Sequence, residues 1–78
     1  MTLTVEEFCQ FNMKSRIQLL NKDGRLIKVR NVSDKYIVKL YKIYKFFVEV
    51  IEMLKNKKTI KVEPVLNLNI IHLYSETA

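Results

Sequence analysis

The most reactive side chains in this 78-residue sequence belong to its single cysteine, Cys9, and its single histidine, His72. Cys9 falls in the first turns of a predicted helix, where the helix dipole can lower the pKa of a thiol. Neither a histidine nor a second cysteine lies nearby in the sequence to activate it. We therefore expect Cys9 to be a small buried hydrophobic residue rather than a nucleophile.

A metal site built on His72 would need Cys9, Glu63 or Glu76 as further ligands, and these residues show no recognisable ligand spacing. We therefore expect a surface or capping histidine. No motif supports general acid–base catalysis by His72 or by a pair of glutamates, and one glycine is too few for a glycine-rich phosphate loop. The sequence predicts a protein that is not an enzyme and needs no metal or cofactor.

Lysines and aromatic residues are interspersed in the central part of the chain, a pattern that favours binding of another molecule. The candidate partner surface consists of Ile37, Lys39, Tyr41, Lys42, Tyr44, Lys45, Phe47 and Ile51. Its aromatic rings could stack on nucleic-acid bases while its lysines neutralise phosphates. Against nucleic acid, the aromatic spacing matches no RNA-recognition signature, arginine is scarce, and Glu49 and Glu63 lie among the lysines.

The net charge of +6 raises the rate of encounter with nucleic acid, acidic protein surfaces and anionic lipid. An AT-rich coding region would also enrich lysine, so solvated surface lysines are the alternative. No apolar run reaches about 18 residues, the N-terminus lacks the features of a signal peptide, and one cysteine cannot form an internal disulfide. We therefore expect a cytoplasmic protein without a membrane partner.

Two periodicities compete in residues 35–54. Apolar residues recur at spacings of three and four, as in an amphipathic helix, but they also alternate as in two strands joined through residues 42–45. Eleven of these twenty residues are Val, Ile, Phe or Tyr, and none is Ala. Because β-branched and aromatic side chains suit a pleated sheet better than a helix, composition favours two strands. A mostly α-helical protein with one long helix over residues 35–54 is the alternative.

The N-terminal part predicts a helix with defined ends. Thr4 and Glu7 have the spacing of a capping box, and Asn12 can interrupt the helix and cap a second one. We expect the helix to stop at Asp23, with Gly24 in a left-handed conformation after it. Residues 25–32 and 59–65 predict two further strands, the second ending near its proline, and residues 66–75 predict a short helix.

These elements predict a single α+β domain over residues 1–78: one N-terminal helix or a broken pair, packed on a four-stranded antiparallel meander, with a short C-terminal helix. The residues expected to face the helix are Ile27, Val29, Val38, Leu40, Phe46, Val48, Val50, Ile60 and Val62. The opposite face should carry Ile37, Tyr41, Phe47, Ile51 and Met53, interspersed with Lys39, Glu49, Lys61 and Glu63. An apolar patch rimmed by charge is typical of a binding interface, although the C-terminal helix could cover it instead.

The run YIVKLYKIYKFFVEV at residues 36–50, followed by TIKVEPV at residues 59–65, resembles a group of short uncharacterised bacterial proteins. Their pattern is a helix, a YxVxLY strand, a connection, an FFVEV or FYVEV strand, a turn, an IVKI-type strand and a terminal helix. The residues that carry the resemblance are Tyr36, Val38, Leu40, Tyr41, Phe46, Phe47, Val48, Glu49 and Val50. This chain departs from the pattern at Ile43-Tyr44-Lys45, where a glycine is expected. The resemblance implies a fold and no activity.

The sequence favours a non-enzymatic protein-binding module. A small, basic, cysteine-poor chain without an active site is typical of mobile-element proteins that inhibit a host enzyme, such as anti-CRISPR proteins, which dock on an RNA-guided nuclease. The alternative is a small basic protein that binds single-stranded nucleic acid, and a toxin or antitoxin component is a third option. On folding, a chain this short buries only about 60–65% of the surface that its unfolded form exposes. A homodimer or another partner would bury more and so add stability.

Overall fold

The computed structural model describes residues 3–66 as two helices followed by four strands. The elements are α1 (Val5–Cys9), α2 (Met13–Asp23), β1 (Arg25–Asn31), β2 (Tyr36–Ile43), β3 (Phe46–Met53) and β4 (Thr59–Pro64). The strands form one antiparallel sheet in the order β1-β2-β3-β4. The predicted α+β fold is confirmed, and the alternative of a long central helix is wrong. The predicted C-terminal helix lies, apart from its first residue, outside the described residues.

The two helices begin where their sequences provide side-chain caps. The Thr4 N–H donates to Glu7 Oε1 at 2.9 Å, and the Glu7 N–H donates to Thr4 Oγ1 at 3.2 Å. Asn12 Oδ1 accepts from the Ser15 N–H at 2.9 Å and starts α2. Each cap is worth about 1 kcal/mol. The prediction of a broken helix pair is therefore confirmed, with the break at Asn12.

Gly24 follows α2, as predicted, but its backbone is extended, with φ −79° and ψ 153°, and not left-handed. Its N–H donates to the Leu20 carbonyl at 2.9 Å. A Cβ atom at this position would lie 2.6 Å from the same carbonyl oxygen. Close approach of the backbone, rather than an unusual dihedral angle, is what requires glycine here.

A two-residue turn joins β2 to β3, shorter than the connection predicted over residues 42–45. Ile43 pairs with Phe46, so the turn consists of Tyr44 and Lys45. Tyr44 has a φ of 54°, in the left-handed region that costs a non-glycine residue about 1–2 kcal/mol. The Tyr44 hydroxyl donates to Asp23 Oδ2 at 2.5 Å, which ties the turn to the end of α2. This contact explains how tyrosine occupies a position where glycine was expected.

The strand register assigns every side chain to one of two faces. The face packed against the helices, called the helix face, carries Leu26, Val29, Asn31, Ile37, Lys39, Tyr41, Ile43, Phe46, Val48, Val50, Glu52, Thr59, Val62 and Pro64. The other, called the far face, carries Arg25, Lys28, Arg30, Tyr36, Val38, Leu40, Lys42, Phe47, Glu49, Ile51, Met53, Lys61 and Glu63. Because Leu40 pairs with Glu49, the prediction that Val38 and Leu40 face the helices is wrong.

Each face therefore has its own buried cluster. On the helix face, Phe8 and Leu20 pack against five strand residues, and the Phe8 and Phe46 rings meet edge to face at 5.5 Å. The strand members of this cluster are Ile43, Phe46, Val48, Val50 and Val62. On the far face, Val38 and Leu40 are buried with Val65, which follows β4. The sheet has apolar packing on both sides.

Two bulges interrupt the outer strands. Ile27 is the extra residue between Leu26 and Lys28, and Ile60 is the extra residue opposite the Ile51–Glu52 step of β3. A bulge resets the alternation of faces, so the predicted burial of Ile27 and Ile60 is wrong, whereas that of Val62 is confirmed. The predicted burial of Val29 is also wrong, because the helices pack against β2, β3 and β4 and leave the Val29 side chain exposed.

Candidate functional site

The register divides the eight residues of the predicted partner surface among three places. Tyr44 and Lys45 form the β2–β3 turn. The three on the helix face are Ile37, Lys39 and Tyr41. The three on the far face are Lys42, Phe47 and Ile51. The expectation that all the apolar members share one face is wrong. Ile37 and Tyr41 pair with Glu52 and Val48, whereas Phe47 and Ile51 pair with Lys42 and Val38, and paired residues share a face.

The helix-face members support the fold. Tyr41 is half-buried and lines a pocket of about 50 Å³ between α2 and the sheet. A water molecule takes about 30 Å³ and ligand sites usually measure about 300–1,000 Å³, so this pocket is too small for a nucleobase. Lys39 Nζ lies 3.2 Å from Glu52 Oε1, which partly neutralises its charge.

The turn and far-face members are also engaged within the protein. The hydrogen bond from Tyr44 to the Asp23 carboxylate raises the pKa of Tyr44 above its usual 10.0, and desolvation and the charge of Asp23 act in the same direction. Phe47 and Ile51 pack against the buried far-face cluster. Lys42 Nζ lies 5.8 Å from the centre of the Phe47 ring, close enough for a cation–π contact. Among the eight, Lys42 and Lys45 are the exposed residues.

A different surface, which the sequence analysis missed, lies along β1. Four large apolar side chains are exposed there, a group called the β1 apolar patch: Leu26 (47% exposed), Ile27 (44%), Val29 (45%) and Val32 (53%). Leu26 and Val29 lie on the helix face, Ile27 is the bulged residue, and Val32 follows the strand. The clustering of apolar residues at residues 26–32 was a visible signal, but exposure depended on where the helices packed.

The backbone of β1 presents hydrogen-bonding groups at the edge of the sheet. The Val32 N–H donates to the Tyr36 carbonyl at 3.2 Å, which sets the alternation along this pair of strands. In an antiparallel pair, alternate residues direct both backbone groups toward the neighbouring strand. Lys28 and Arg30 therefore face β2, while Val29 and Asn31 direct their N–H and C=O groups outward.

Positive charge follows β1 on its other side. Arg25, Lys28 and Arg30 lie on the far face and form the β1 basic row, and Arg25 is paired directly with Lys42. Like charges opposite one another in a sheet repel. An edge strand with apolar side chains on one face and cations on the other is complementary to a strand that alternates in the same way.

The opposite edge strand, β4, is held by Arg16, another residue whose role the sequence did not show. Arg16 donates to three backbone carbonyls: Nε to Phe11 at 2.9 Å, Nη1 to Val62 at 2.6 Å and Nη2 to Cys9 at 2.9 Å. Its guanidinium also lies over the Phe8 ring, 5.4 Å from the centroid. Arg16 therefore joins the α1–α2 connection to the outer edge of β4.

The residues with intrinsic reactivity do not form a site in the described part of the chain. Cys9 is exposed, so the prediction that it is buried is wrong. Within residues 3–66, no three His, Cys, Asp or Glu side chains are placed to hold a metal ion. His72 lies outside that range. No helix in the described range is long and apolar enough to cross a membrane.

Comparison of this chain with protein-family models, curated proteins and solved structures finds no match. The resemblance to short bacterial proteins with YxVxLY and FFVEV strands therefore stays a prediction.

Proposed function

We propose that this chain is a cytoplasmic, non-enzymatic protein-binding module and that it binds its partner through β1. The observation that carries the proposal is the β1 apolar patch, four large exposed apolar side chains within seven residues on an edge strand. Contiguous exposed apolar surface beside charge is a common feature of protein-binding sites. The open backbone groups of Val29 and Asn31 add directional hydrogen bonds to the same surface.

The apolar patch is large enough to matter energetically. Full burial of a Val or Leu side chain contributes about 1.5–3 kcal/mol, so covering the exposed half of Leu26 and Val29, which share the helix face, contributes roughly 1.5–3 kcal/mol. Association costs several kcal/mol in lost translational and rotational freedom. Patch and backbone hydrogen bonds must therefore act together, and loss of either should weaken binding strongly.

A display selection with the full chain as bait tests the use of β1. Binders selected from a random-peptide library should lose affinity for the Leu26→Thr/Val29→Thr variant, in which the side chains remain compatible with a strand but become polar. The matched control is Met13→Gln, which replaces a comparably exposed apolar side chain (40%) on α2. A site on β1 would be contradicted if the selected binders had the same affinity for the Leu26→Thr/Val29→Thr variant, the Met13→Gln variant and the original chain.

The finer proposal is that the partner is a host enzyme which this protein inhibits, as anti-CRISPR proteins inhibit an RNA-guided nuclease. Its support is the small size, basic charge and low cysteine content of the chain. The test is cleavage of target DNA by purified nuclease–guide complexes in the presence of excess protein. Inhibition should disappear with the Leu26→Thr/Val29→Thr variant, and full cleavage throughout a panel of nucleases would count against this identity.

Direct binding of single-stranded nucleic acid is the second candidate, favoured by the β1 basic row and by Lys42 beside Phe47. However, Phe47 is half-buried in the far-face cluster, which limits stacking on a base. Fluorescence anisotropy with labelled single-stranded RNA and DNA across a salt series tests it. A log affinity that falls steeply with log salt would support nucleic acid, and no binding at low salt would favour a protein.

A further inference from the structure

The geometry of β1 points to the chemistry of the partner: an extended peptide segment that alternates apolar and acidic residues and adds to the sheet as a fifth strand. This inference rests on the proposed function, since it concerns the same edge. Strand addition is an established mode of peptide recognition, in which backbone hydrogen bonds give affinity and alternate side chains give specificity. Three features of β1 carry it.

The first feature is the set of backbone N–H and C=O groups on the outer side of β1, where no strand is paired. Val29 and Asn31 each direct one N–H and one C=O outward, as the register with β2 requires. An added strand could therefore form four backbone hydrogen bonds along the regular part of β1, between the bulge and the end of the strand. The bulge at Ile27 limits the regular ladder to a short segment, so we expect a partner segment of about five paired residues.

The second feature is the different chemistry of the two sides of β1. In the added strand, side chains opposite Val29 would point to the helix face, where Leu26 and Val29 are exposed. The intervening side chains would point to the far face, beside Lys28. Cross-strand neighbours interact directly, so the favoured partner carries apolar residues at every second position and Asp or Glu between them.

The third feature is that the same charges disfavour a second copy of this chain. An antiparallel pair of β1 strands related by a two-fold axis at Val29 would place each Lys28 opposite Arg30 of the other copy. Centring the axis on Lys28 or Arg30 instead would place two identical cations opposite each other. Each of these arrangements opposes like charges. Like charges therefore disfavour these three registers of self-association, and an axis at Asn31, which opposes no like charges, is left to the light-scattering test below.

The probe is a fluorescein-labelled peptide of sequence Ser-(Val-Glu)₃-Val-Ser, titrated with the full chain and followed by fluorescence anisotropy. The controls are the Ser-(Val-Lys)₃-Val-Ser peptide and a peptide of the same composition with its three glutamates grouped together. We expect the alternating acidic peptide to bind about tenfold or more tightly than either control, because cross-strand charge pairs change sign or lose their spacing. Equal binding of all three peptides would overturn the inference.

A charge-reversal variant separates recognition from stability. Lys28→Glu should weaken binding of the glutamate peptide and strengthen binding of the lysine peptide, a reversal that loss of folding cannot produce. Hydrogen exchange measured by NMR supplies the position: the Val29 and Asn31 amides should become protected by the glutamate peptide. Protection confined to other amides, or protection of these two by self-association seen as a doubled mass in light scattering, would overturn the inference.

The outcomes also distinguish this inference from the proposed function. If the glutamate peptide fails but display-selected binders still depend on Leu26 and Val29, the partner chemistry is wrong and the β1 site stands. If single-stranded RNA competes with neither peptide nor selected binders, nucleic acid is not the ligand of this edge. If selected binders ignore the Leu26→Thr/Val29→Thr variant, the site itself is wrong.

Discussion

The two edge strands of the sheet, β4 and β1, differ in how far the rest of the protein contacts their outer edges. On β4, the Val65 N–H donates to the Phe47 carbonyl, so Val62 and Pro64 are the outward-facing residues. The Val62 carbonyl accepts from Arg16, and Pro64 has no N–H to leave unpaired. Both helices also pack against this strand. At the outer edge of β4, the Val62 carbonyl is therefore capped and one N–H is absent.

The outer edge of β1 has no equivalent cap among residues 3–66. Its outward-facing residues, Val29 and Asn31, are exposed, and the helices pack mainly elsewhere. Open sheet edges invite aggregation, and proteins usually limit this with bulges and charges. β1 has both, in the bulge at Ile27 and in the β1 basic row. The two edges therefore differ: Arg16, Pro64 and the helices limit the open groups of β4, whereas β1 has only a bulge and charged side chains.

The largest expected effect tests what holds the helices over β4. Phe8 is fully buried beneath Arg16 and against Phe46. Phe8→Ala should lower the free energy of unfolding by about 3–5 kcal/mol, a large share of the roughly 4–12 kcal/mol expected for a chain of this size. Urea denaturation followed by circular dichroism measures it. Phe11→Ala, at a half-buried position, is the control, and an equal loss in both would refute a special role for Phe8.

The next effect tests the cap on β4 itself. Arg16→Met removes three charged hydrogen bonds to backbone carbonyls, and the loss of each such bond costs about 1.5–3 kcal/mol, so we expect at least that much destabilisation. Arg16→Lys should rescue little, because an ammonium cannot span three acceptors. The control is Arg25→Met on β1, which should change stability by less than about 0.5 kcal/mol. Similar denaturation midpoints for the Arg16→Met and Arg25→Met variants would contradict the idea that β4 is held more firmly than β1.

A smaller effect tests the junction that leads from α2 into β1. Gly24→Ala places a Cβ atom 2.6 Å from the Leu20 carbonyl oxygen, so the backbone must shift. Overpacking of this kind costs about 1–3 kcal/mol. The expected result is a lower thermal midpoint with unchanged far-UV circular dichroism. A stabilised Gly24→Ala protein would mean that the junction is looser than the structure shows.

The smallest effect concerns the hydrogen bond that links the β2–β3 turn to α2. The pKa of Tyr44 is raised in the folded protein, so the bond contributes fully below the ordinary tyrosine pKa of 10.0 and is lost as pH rises through the folded pKa. Stability should therefore fall above about pH 10, and less so in Tyr44→Phe. Denaturation at a series of alkaline pH values measures this, and parallel pH profiles for the two proteins would contradict it.

The features that sequence analysis predicted correctly are those set by neighbours within a few residues. The capping box of α1, the break at Asn12 and the end of β4 at Pro64 each depend on local backbone geometry. The choice of strands over a helix in residues 35–54 also followed from local preference, since β-branched and aromatic side chains suit a pleated sheet. Such interactions require no knowledge of distant parts of the chain.

Tertiary structure decided which side of each strand is buried and which edge is open. The hairpin pairs Val38 with Ile51 and Leu40 with Glu49, so it places Val38 and Leu40 on the face opposite Phe46 and Val48, because paired residues share a face. Arg16 contacts a carbonyl 46 residues away, which no local pattern encodes. The sequence by itself determined the helices and strands. Long-range packing determined that the helices cover β4 and leave β1 exposed, because burial depends on which elements meet in space.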